Sequence, residues 1–168
     1  MQPFVKWAGG KRQLIPELTK IMPSNFNQYL EPFIGGGALL LELEHKNSVI
    51  SDNNHVLIAT YNDIKHNLDK LLPLLDKLQN EHNSCGDKEK AKEFYYQQRD
   101  NFNQIIFDDN ESLNRSALFL YLNKACFNGL YRVNSKGLFN VPFNQKTTIN
   151  IYERDNLVQI SQFLQTVD

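Results

Sequence analysis

A chain of 168 residues is long enough for one domain with a substantial core and short for two domains. Its composition, 41% hydrophobic and 22% charged, is that of an ordinary globular protein, and a net charge of −1 gives no overall signal for a nucleic-acid partner. The two cysteines, Cys85 and Cys126, form neither a metal-binding spacing nor a disulfide framework. No apolar stretch is long enough for a signal peptide or a membrane span, so we expect a cytoplasmic protein without a membrane partner.

The N-terminal third has the order of elements that opens a Rossmann-like unit. Apolar residues at helical spacing predict a helix over residues 11–22. Residues 28–33 and 48–52 are predicted strands. Between them, the glycines at 35–37 predict a sharp turn, and residues 38–45 predict a second helix. A strand, glycine turn, helix and strand in this order predict an α/β domain.

The remaining residues are predicted to be mainly helical, with one different stretch. We predict helices over 55–82, broken near Asn67 or Pro73, and over 88–102, 112–127 and 151–164, with a polar loop at 83–87. The turn signals Asn128-Gly129 and Lys136-Gly137 predict a β-hairpin or a structured loop over 128–143. Residues 166–168 resemble the first residues of a further strand.

Charge is distributed unevenly along the chain. No Asp or Glu occurs from Ser112 to Tyr152, whereas Arg115, Lys124, Arg132, Lys136 and Lys146 all lie in that stretch. The N-terminus is also basic, with Lys6, Lys11, Arg12 and Lys20. These two stretches are compatible with a phosphate-facing surface on a neutral protein, although charge alone favours a solvated face.

The glycine turn and an acidic residue after the second strand form a possible nucleotide site. Glycines that follow a strand let the backbone turn sharply and approach a ligand closely. Asp52 ends the second predicted strand, at the place where a carboxylate binds the two ribose hydroxyls in Rossmann-like units. A plain tight turn and a helix N-cap at Asp52 are the alternatives. Trp7 and Lys11, on residues alone, are interpreted as a core side chain and a solvated helix start.

An ordered set of seven motifs extends along the chain. Three lie in the N-terminal third: Lys-Trp-Ala-Gly-Gly-Lys at 6–11, Glu-Pro-Phe-Ile-Gly-Gly-Gly at 31–37 and Ser-Asp-Asn-Asn at 51–54. Four follow: Phe-Tyr-Tyr-Gln-Gln-Arg at 94–99, Leu-Phe-Leu-Tyr-Leu-Asn at 118–123, Asn-Gly-Leu-Tyr-Arg-Val-Asn at 128–134 and Phe-Asn-Val-Pro-Phe at 139–143. Together they resemble the Dam-type adenine-specific DNA methyltransferases, in which these motifs occur in the same order, and they extend over nearly the whole chain.

The resemblance implies S-adenosylmethionine as cofactor and double-stranded DNA as partner. Trp7 and Lys11 would border the cofactor pocket, Phe33, Gly35 and Gly37 would form its floor, and Asp52 would bind the ribose. The expected DNA contacts are Lys6, Arg99, Asn128, Leu130, Arg132, Asn134, Asn140 and Pro142. Arg132 suits a bidentate contact with guanine, and Leu130 and Pro142 suit the thymine methyl, which is compatible with the GATC site that the family often recognises.

Two features depart from the family's pattern. Asn144, Gln145 and Lys146 stand where the family usually has Gly followed by basic or aromatic residues, so contacts with flanking bases are not carried over. The Asp-Pro-Pro-Tyr-type motif that holds the flipped adenine is absent, since no two of the six prolines are adjacent. We therefore expect no catalytic residue in this chain, and a truncated enzyme that is inactive alone.

These observations lead to one fold prediction. We expect an α/β fold: an incomplete Rossmann-like methyltransferase fold with an inserted, mainly helical DNA-recognition region that carries a β-hairpin. Residues 1–54 and 150–168 would form a partial S-adenosylmethionine-binding catalytic domain, and residues 55–149 the target-recognition region. A missing C-terminal segment or second chain, as in a split enzyme, and a non-catalytic DNA- or cofactor-binding remnant remain alternatives. A dehydrogenase is disfavoured because Gly-x-Gly-x-x-Gly is absent and residues 128–143 have no role in it.

Overall fold

The computed structural model describes all residues 1–168. Its seven α-helices are α1 (Ile15–Ile21), α2 (Ala38–Leu43), α3 (His55–His66), α4 (Leu68–Asn83), α5 (Lys88–Ile105), α6 (Ser112–Ala125) and α7 (Arg154–Leu164). Short 3-10 helices cover Lys11–Leu14, Asp109–Glu111 and Phe127–Gly129. No helix combines the length and the apolar character that crossing a membrane requires.

A small parallel sheet lies beside the helices. Strand β1 (Tyr29–Glu31) pairs with β2 (Ser48–Ile50), with Leu30 opposite Val49. The strand expected at 166–168 is present as a parallel bridge between Ser48 and Val167. Hydrogen bonds from Ile50 N to Asp168 O (2.7 Å) and from Asp168 N to Ser48 O (2.8 Å) extend it. The predicted order of elements is confirmed, although both strands are shorter than the 28–33 and 48–52 that the sequence suggested.

Helix α6 is the central helix of the core. Ten of its residues are buried, and it packs against α3, α4 and α5. A helix that is apolar on nearly all sides has to be surrounded by others, because only then is every face removed from water. Two of its serines have a charged partner: Ser112 and Ser116 both donate to Asp63 Oδ2 on α3, at 3.0 and 2.7 Å.

The helical interruption lies at Asn67, and α4 continues through Pro73. Asn67 leaves the helical conformation, with φ −131° and ψ 24°, and its side chain donates to Asp63 Oδ1 at 3.1 Å. The alternative break at Pro73 is therefore wrong. Helix α7 begins at Arg154, three residues after the predicted start at Ile151.

Residues 128–143, called the 128–143 loop below, contain no regular strand. Two isolated antiparallel bridges, Cys126 with Phe143 and Val133 with Phe139, bring its two arms together. The tip is ordered by Asn134, whose Oδ1 accepts from the backbone amides of Lys136 (2.9 Å) and Leu138 (3.1 Å). Of the two predicted forms, a β-hairpin or a structured loop, the structure has the second with a hairpin-like path.

Candidate functional site

The six residues predicted to bind a cofactor line one cavity. Its volume is about 250 Å³, and its wall includes Trp7, Lys11, Phe33, Gly35, Gly37 and Asp52. The sheet positions them, because the chain leaves β1 into the glycine turn and leaves β2 at Asp52, and parallel strands end at the same edge. Residues far apart in sequence therefore converge: the glycine turn and Asp52 as the spacing predicted, and Trp7, Lys11 and Phe33 as the resemblance implied.

The glycine turn is held between two aromatic side chains. Gly35 has φ +53°, and a Cβ there would lie 2.7 Å from Cδ1 of Trp7. On the other side, the Tyr61 hydroxyl donates to Gly35 O at 3.1 Å. Burial raises the pKa of Tyr61, so the hydroxyl stays protonated and remains a donor. Only a residue without a side chain fits the first contact without displacing Trp7.

Asp52 fixes the turn and keeps acceptor capacity. Its Oδ2 accepts from Gly35 N at 2.9 Å, and its Oδ1 accepts from Asn54 N at 3.0 Å. A carboxylate has about four lone-pair sites, so each oxygen can accept a further bond from the half-open cavity. The alternative role of helix N-cap belongs to Asn54, whose side chain accepts from Leu57 N at 3.1 Å.

Lys11 is fixed at the cavity rather than solvated. Its Nζ lies 2.9 Å from Glu31 Oε1 and donates to Phe33 O at 3.2 Å. The buried Glu31 also accepts from Tyr29 through Oε2 at 2.8 Å, and burial together with that carboxylate raises the pKa of Tyr29. Because Glu31 ends β1, this cluster ties the 3-10 helix at Lys11 to the sheet.

Phe33 presents an apolar ring to solvent at the cavity wall. Its side chain is 75% exposed, and it lies two residues after the end of β1 at Glu31. Large exposed aromatic rings beside a cavity are available for stacking on a flat ligand.

A second groove of about 680 Å³ adjoins the first cavity. The two share five wall residues: Trp7, Gly9, Gly10, Gly36 and Ala38. Lys6 and Lys124 line the groove. Burial, and then the positive charge of Lys6, lower the pKa of Lys124, so the two ammonium groups lie close enough to repel each other. Arg12 also lines the groove, and a groove with three cationic side chains attracts anions.

The 128–143 loop holds two predicted DNA contacts against each other. Arg132 Nε donates to Asn140 Oδ1 at 2.7 Å, and its Nη2 donates to Asn140 O at 3.2 Å. Arg132 is exposed, so its remaining N–H groups face solvent. The two hydrogen bonds to Asn140 therefore fix the orientation of the Arg132 guanidinium.

The start of the loop has an unusual backbone. Asn128 adopts a left-handed conformation with φ +55°, next to Phe127, whose ring is 52% exposed. Leu130 follows and is half-buried. Pro142 is exposed, and its carbonyl accepts from Phe127 N at 2.8 Å, so both ends of the loop lie together.

Arg99 lies on α5, next to Tyr96. Its guanidinium stands over the ring of Tyr96, 4.6 Å from the centroid, and Nη2 is 3.8 Å from Asp100. Tyr96 and Pro142 line the same shallow cavity of about 270 Å³. Arg99 and the end of the loop are therefore neighbours, as a common ligand surface requires.

Three residues with evident roles around these cavities were not predicted. Tyr61 supports the glycine turn, Tyr131 stacks on Trp7 with centroids 5.8 Å apart, and Asn123 contacts both Lys6 and Gly129. The Tyr61 and Tyr131 contacts have no local spacing that a sequence pattern reveals. A signal did exist for Asn123, because it is a polar residue at the end of the apolar run Leu118–Leu122.

Comparison with known proteins gives consistent matches. The family model for D12 class N6 adenine-specific DNA methyltransferase matches residues 7–168. A Type II methyltransferase of Methanocaldococcus jannaschii, M.MjaIII, is 43% identical over 99% of this chain and 60% of its own length. M1.LlaDCHI of Lactococcus lactis subsp. cremoris is 40% identical over 98% and 55%. The DNA adenine methylase of Haemophilus influenzae is 38% identical over 88% and 48%. The chain spans about half the length of the curated relatives it matches.

Proposed function

This chain belongs to the D12 class N6 adenine-specific DNA methyltransferases, and from that premise we propose that it binds S-adenosylmethionine and duplex DNA for methyl transfer to the exocyclic amine of adenine. The observation that carries the proposal is the convergence of six separately predicted residues on one cavity, next to a groove lined by two lysines. The cavity would hold the cofactor, and the groove and the 128–143 loop would face the DNA.

The residues present suit an adenosine cofactor. Asp52 has free lone pairs for two ribose hydroxyls, while its bonds to Gly35 and Asn54 hold the carboxylate in place. The exposed Phe33 ring offers a stacking face for a base. A cavity of about 250 Å³ is small beside the roughly 300–1,000 Å³ of small-molecule sites, but it shares five wall residues with the larger groove. S-adenosylmethionine would supply an activated methyl group on its sulfonium.

The DNA face would divide between backbone and base contacts. Lys6, beside the cofactor cavity, and Arg99, on α5, suit phosphate contacts because each presents an exposed or half-exposed cation. Asn134 and Asn140 would contribute through amide groups that their hydrogen bonds within the loop leave free. These contacts would fix the register of the duplex without reading its sequence.

Base readout would come from the 128–143 loop. The oriented guanidinium of Arg132 matches the two acceptors that guanine presents in the major groove. Leu130 and Pro142 supply apolar contacts for a thymine methyl, and Asn128 would lie near the gap left by a flipped adenine. GATC is the site we propose, since several relatives bear the name DNA adenine methylase. We assign no residue of this chain to the orientation of the adenine amine.

We also propose the division of labour along the chain. Residues 1–54 and 150–168 would serve the cofactor, and residues 55–149 would recognise the target. The two parts would act together, because Tyr61 of α3 contacts Gly35 and Tyr131 of the loop contacts Trp7. The mixed helical and parallel-strand architecture is consistent with that division.

Two binding measurements test the proposal. Calorimetry with S-adenosylmethionine should give saturable one-to-one binding. Fluorescence anisotropy should give a lower Kd for a GATC duplex than for a scrambled duplex of the same length at the same salt concentration. Absence of both kinds of binding by folded protein contradicts the proposal, whereas equal affinity for the two duplexes contradicts only the GATC assignment.

A further inference from the structure

One buried amide joins the two parts of the proposed site. Asn123 lies in the last turn of α6 and is 2% exposed. Its Oδ1 accepts from Lys6 N at 2.8 Å, and its Nδ2 donates to Lys6 O at 2.9 Å and to Gly129 O at 3.0 Å. All three bonds are well within hydrogen-bond range, so the side chain binds both the N–H and the C=O of Lys6 and also the C=O of Gly129.

The two segments that Asn123 holds are in contact. A Cβ at Gly129 would lie 2.5 Å from Cδ of Lys6, so the Lys6 side chain runs directly over the Gly129 backbone. Lys6 precedes Trp7, a wall residue of the cofactor cavity. Gly129 lies between Asn128 and Leu130, two of the expected DNA contacts. The contact between Lys6 and Gly129 therefore places the start of the 128–143 loop against the cavity.

We propose that Asn123 is a positioning residue, which fixes the segment that carries Lys6 and Trp7 against the start of the 128–143 loop and thereby couples the cofactor cavity to DNA recognition. This inference rests on the proposed function, and it adds the element that transmits between the two ligands. A side-chain amide suits the task because it accepts through its oxygen and donates through two N–H groups, whereas an ionised carboxylate only accepts and a hydroxyl has a single donor.

The chain offers a matched control for this role. Asn156 binds the N–H and the C=O of Gln2 in the same way, with Oδ1 accepting from Gln2 N and Nδ2 donating to Gln2 O, both at 2.9 Å. It holds the same N-terminal segment but makes no hydrogen bond to the 128–143 loop. Asn83 does the same to Ile149, with bonds of 2.9 and 3.0 Å, and controls for lost stability alone.

The test compares Asn123→Asp and the neutral Asn123→Ser with Asn156→Asp and Asn83→Asp. Trp7 is the only tryptophan, so its emission reports the state of the segment at the cavity. We expect both Asn123 variants to bind a GATC duplex about tenfold more weakly, because each loses the Nδ2 group that donates to Lys6 O and Gly129 O and so no longer holds the two segments together. The change in Trp7 emission at saturating duplex should fall to less than half, while both control variants keep the wild-type values.

Hydrogen exchange supplies a readout that needs no DNA. In the Asn123 variants, the amides of residues 5–8 and 128–131 should exchange faster together, with the rest of α6 protected as in the wild type. A lowered Tm with unchanged duplex affinity, Trp7 response and paired exchange overturns the proposal and leaves Asn123 a structural residue. If the wild-type chain binds neither duplex nor S-adenosylmethionine, the proposed function fails; the exchange result alone then decides whether the two segments are coupled.

Discussion

Trp7 stacks on Tyr131, with ring centroids 5.8 Å apart and planes inclined by 24°. Trp7 lines the proposed cofactor cavity, and Tyr131 lies between Leu130 and Arg132 in the 128–143 loop. Phe119 of α6 packs edge-on against both rings, at 6.4 and 5.7 Å. The cavity and the loop therefore share a wall, so a displacement of Trp7 reaches both.

Gly35→Ala should weaken cofactor binding about tenfold or more. The added Cβ would lie 2.7 Å from the Trp7 ring and force it from the cavity wall. Gly86→Ala is the control, because Gly86 has a similar positive φ of +78° but no atom within 4 Å of a Cβ. Both variants carry a left-handed backbone strain of about 1 kcal/mol or more, so Gly86→Ala measures the stability loss that comes from the backbone strain alone. Calorimetry with S-adenosylmethionine separates them; equal affinity in the two variants would show that Trp7 has no part in the pocket.

Asp52→Asn should reduce affinity for S-adenosylmethionine by about 1–3 kcal/mol, the scale of a lost hydrogen bond to a charged group. The amide keeps the shape of the side chain but loses the charge and part of the acceptor capacity. Asp108→Asn is a matched control, since Asp108 Oδ1 also accepts from an amide two residues on, Asn110 N, at 2.9 Å. Unchanged calorimetric affinity in Asp52→Asn, with a stability loss like that of Asp108→Asn, would leave Asp52 as a turn residue alone.

The sequence predicted the residues of the proposed cofactor cavity more fully than the form of the 128–143 loop, and the reason is physical. The cavity is built by strand ends and the turns that follow them, and their spacing along the chain determines where they meet. For this reason the sequence alone predicted that Gly35 and Asp52 lie close together.

The 128–143 loop depends instead on side-chain bonds between distant residues. Asn103 on α5 fixes its second arm, accepting from Phe139 N at 2.8 Å and donating to Phe139 O at 3.0 Å. The partners lie 36 positions apart. No local pattern encodes such a bond, so residue types alone could not decide between a hairpin and a structured loop. Pro73 was misleading because a proline is a local signal for a helix break. The break lies instead at Asn67, whose side chain donates to Asp63, and α4 continues through the proline.

Stability should fall as the pH drops below about 6.5, the ordinary pKa of histidine. His82 is buried between Tyr121, whose hydroxyl lies 2.9 Å from Nδ1, and the carbonyl of Lys146, 3.0 Å from Nε2. Burial lowers the pKa of His82, and the bond to Lys146 opposes this in part. The unfolded chain therefore binds the proton first, so acid favours unfolding down to the folded-state pKa, by at most about 1.4 kcal/mol per pH unit.

Urea unfolding between pH 7.5 and 5 measures this slope. In His82→Gln the slope should flatten, although the variant is less stable at every pH. The exposed His66 serves as control, and His66→Gln should keep the wild-type slope. An unchanged slope in His82→Gln would assign the acid sensitivity to another group.

The last prediction separates base readout from phosphate contact in the 128–143 loop. Arg132→Ala should lower the preference for a GATC duplex over a scrambled one by about 1–3 kcal/mol while non-specific binding stays nearly intact, because a guanidinium that Asn140 orients can match both acceptors of guanine. Lys146→Ala is the contrast: its exposed ammonium should contact phosphate, so the variant should weaken both duplexes alike and flatten the salt dependence. Arg132→Lys keeps the charge but not the fork, and should resemble Arg132→Ala in specificity. Anisotropy titrations at two salt concentrations decide; equal weakening of both duplexes by Arg132→Ala would make Arg132 a phosphate contact.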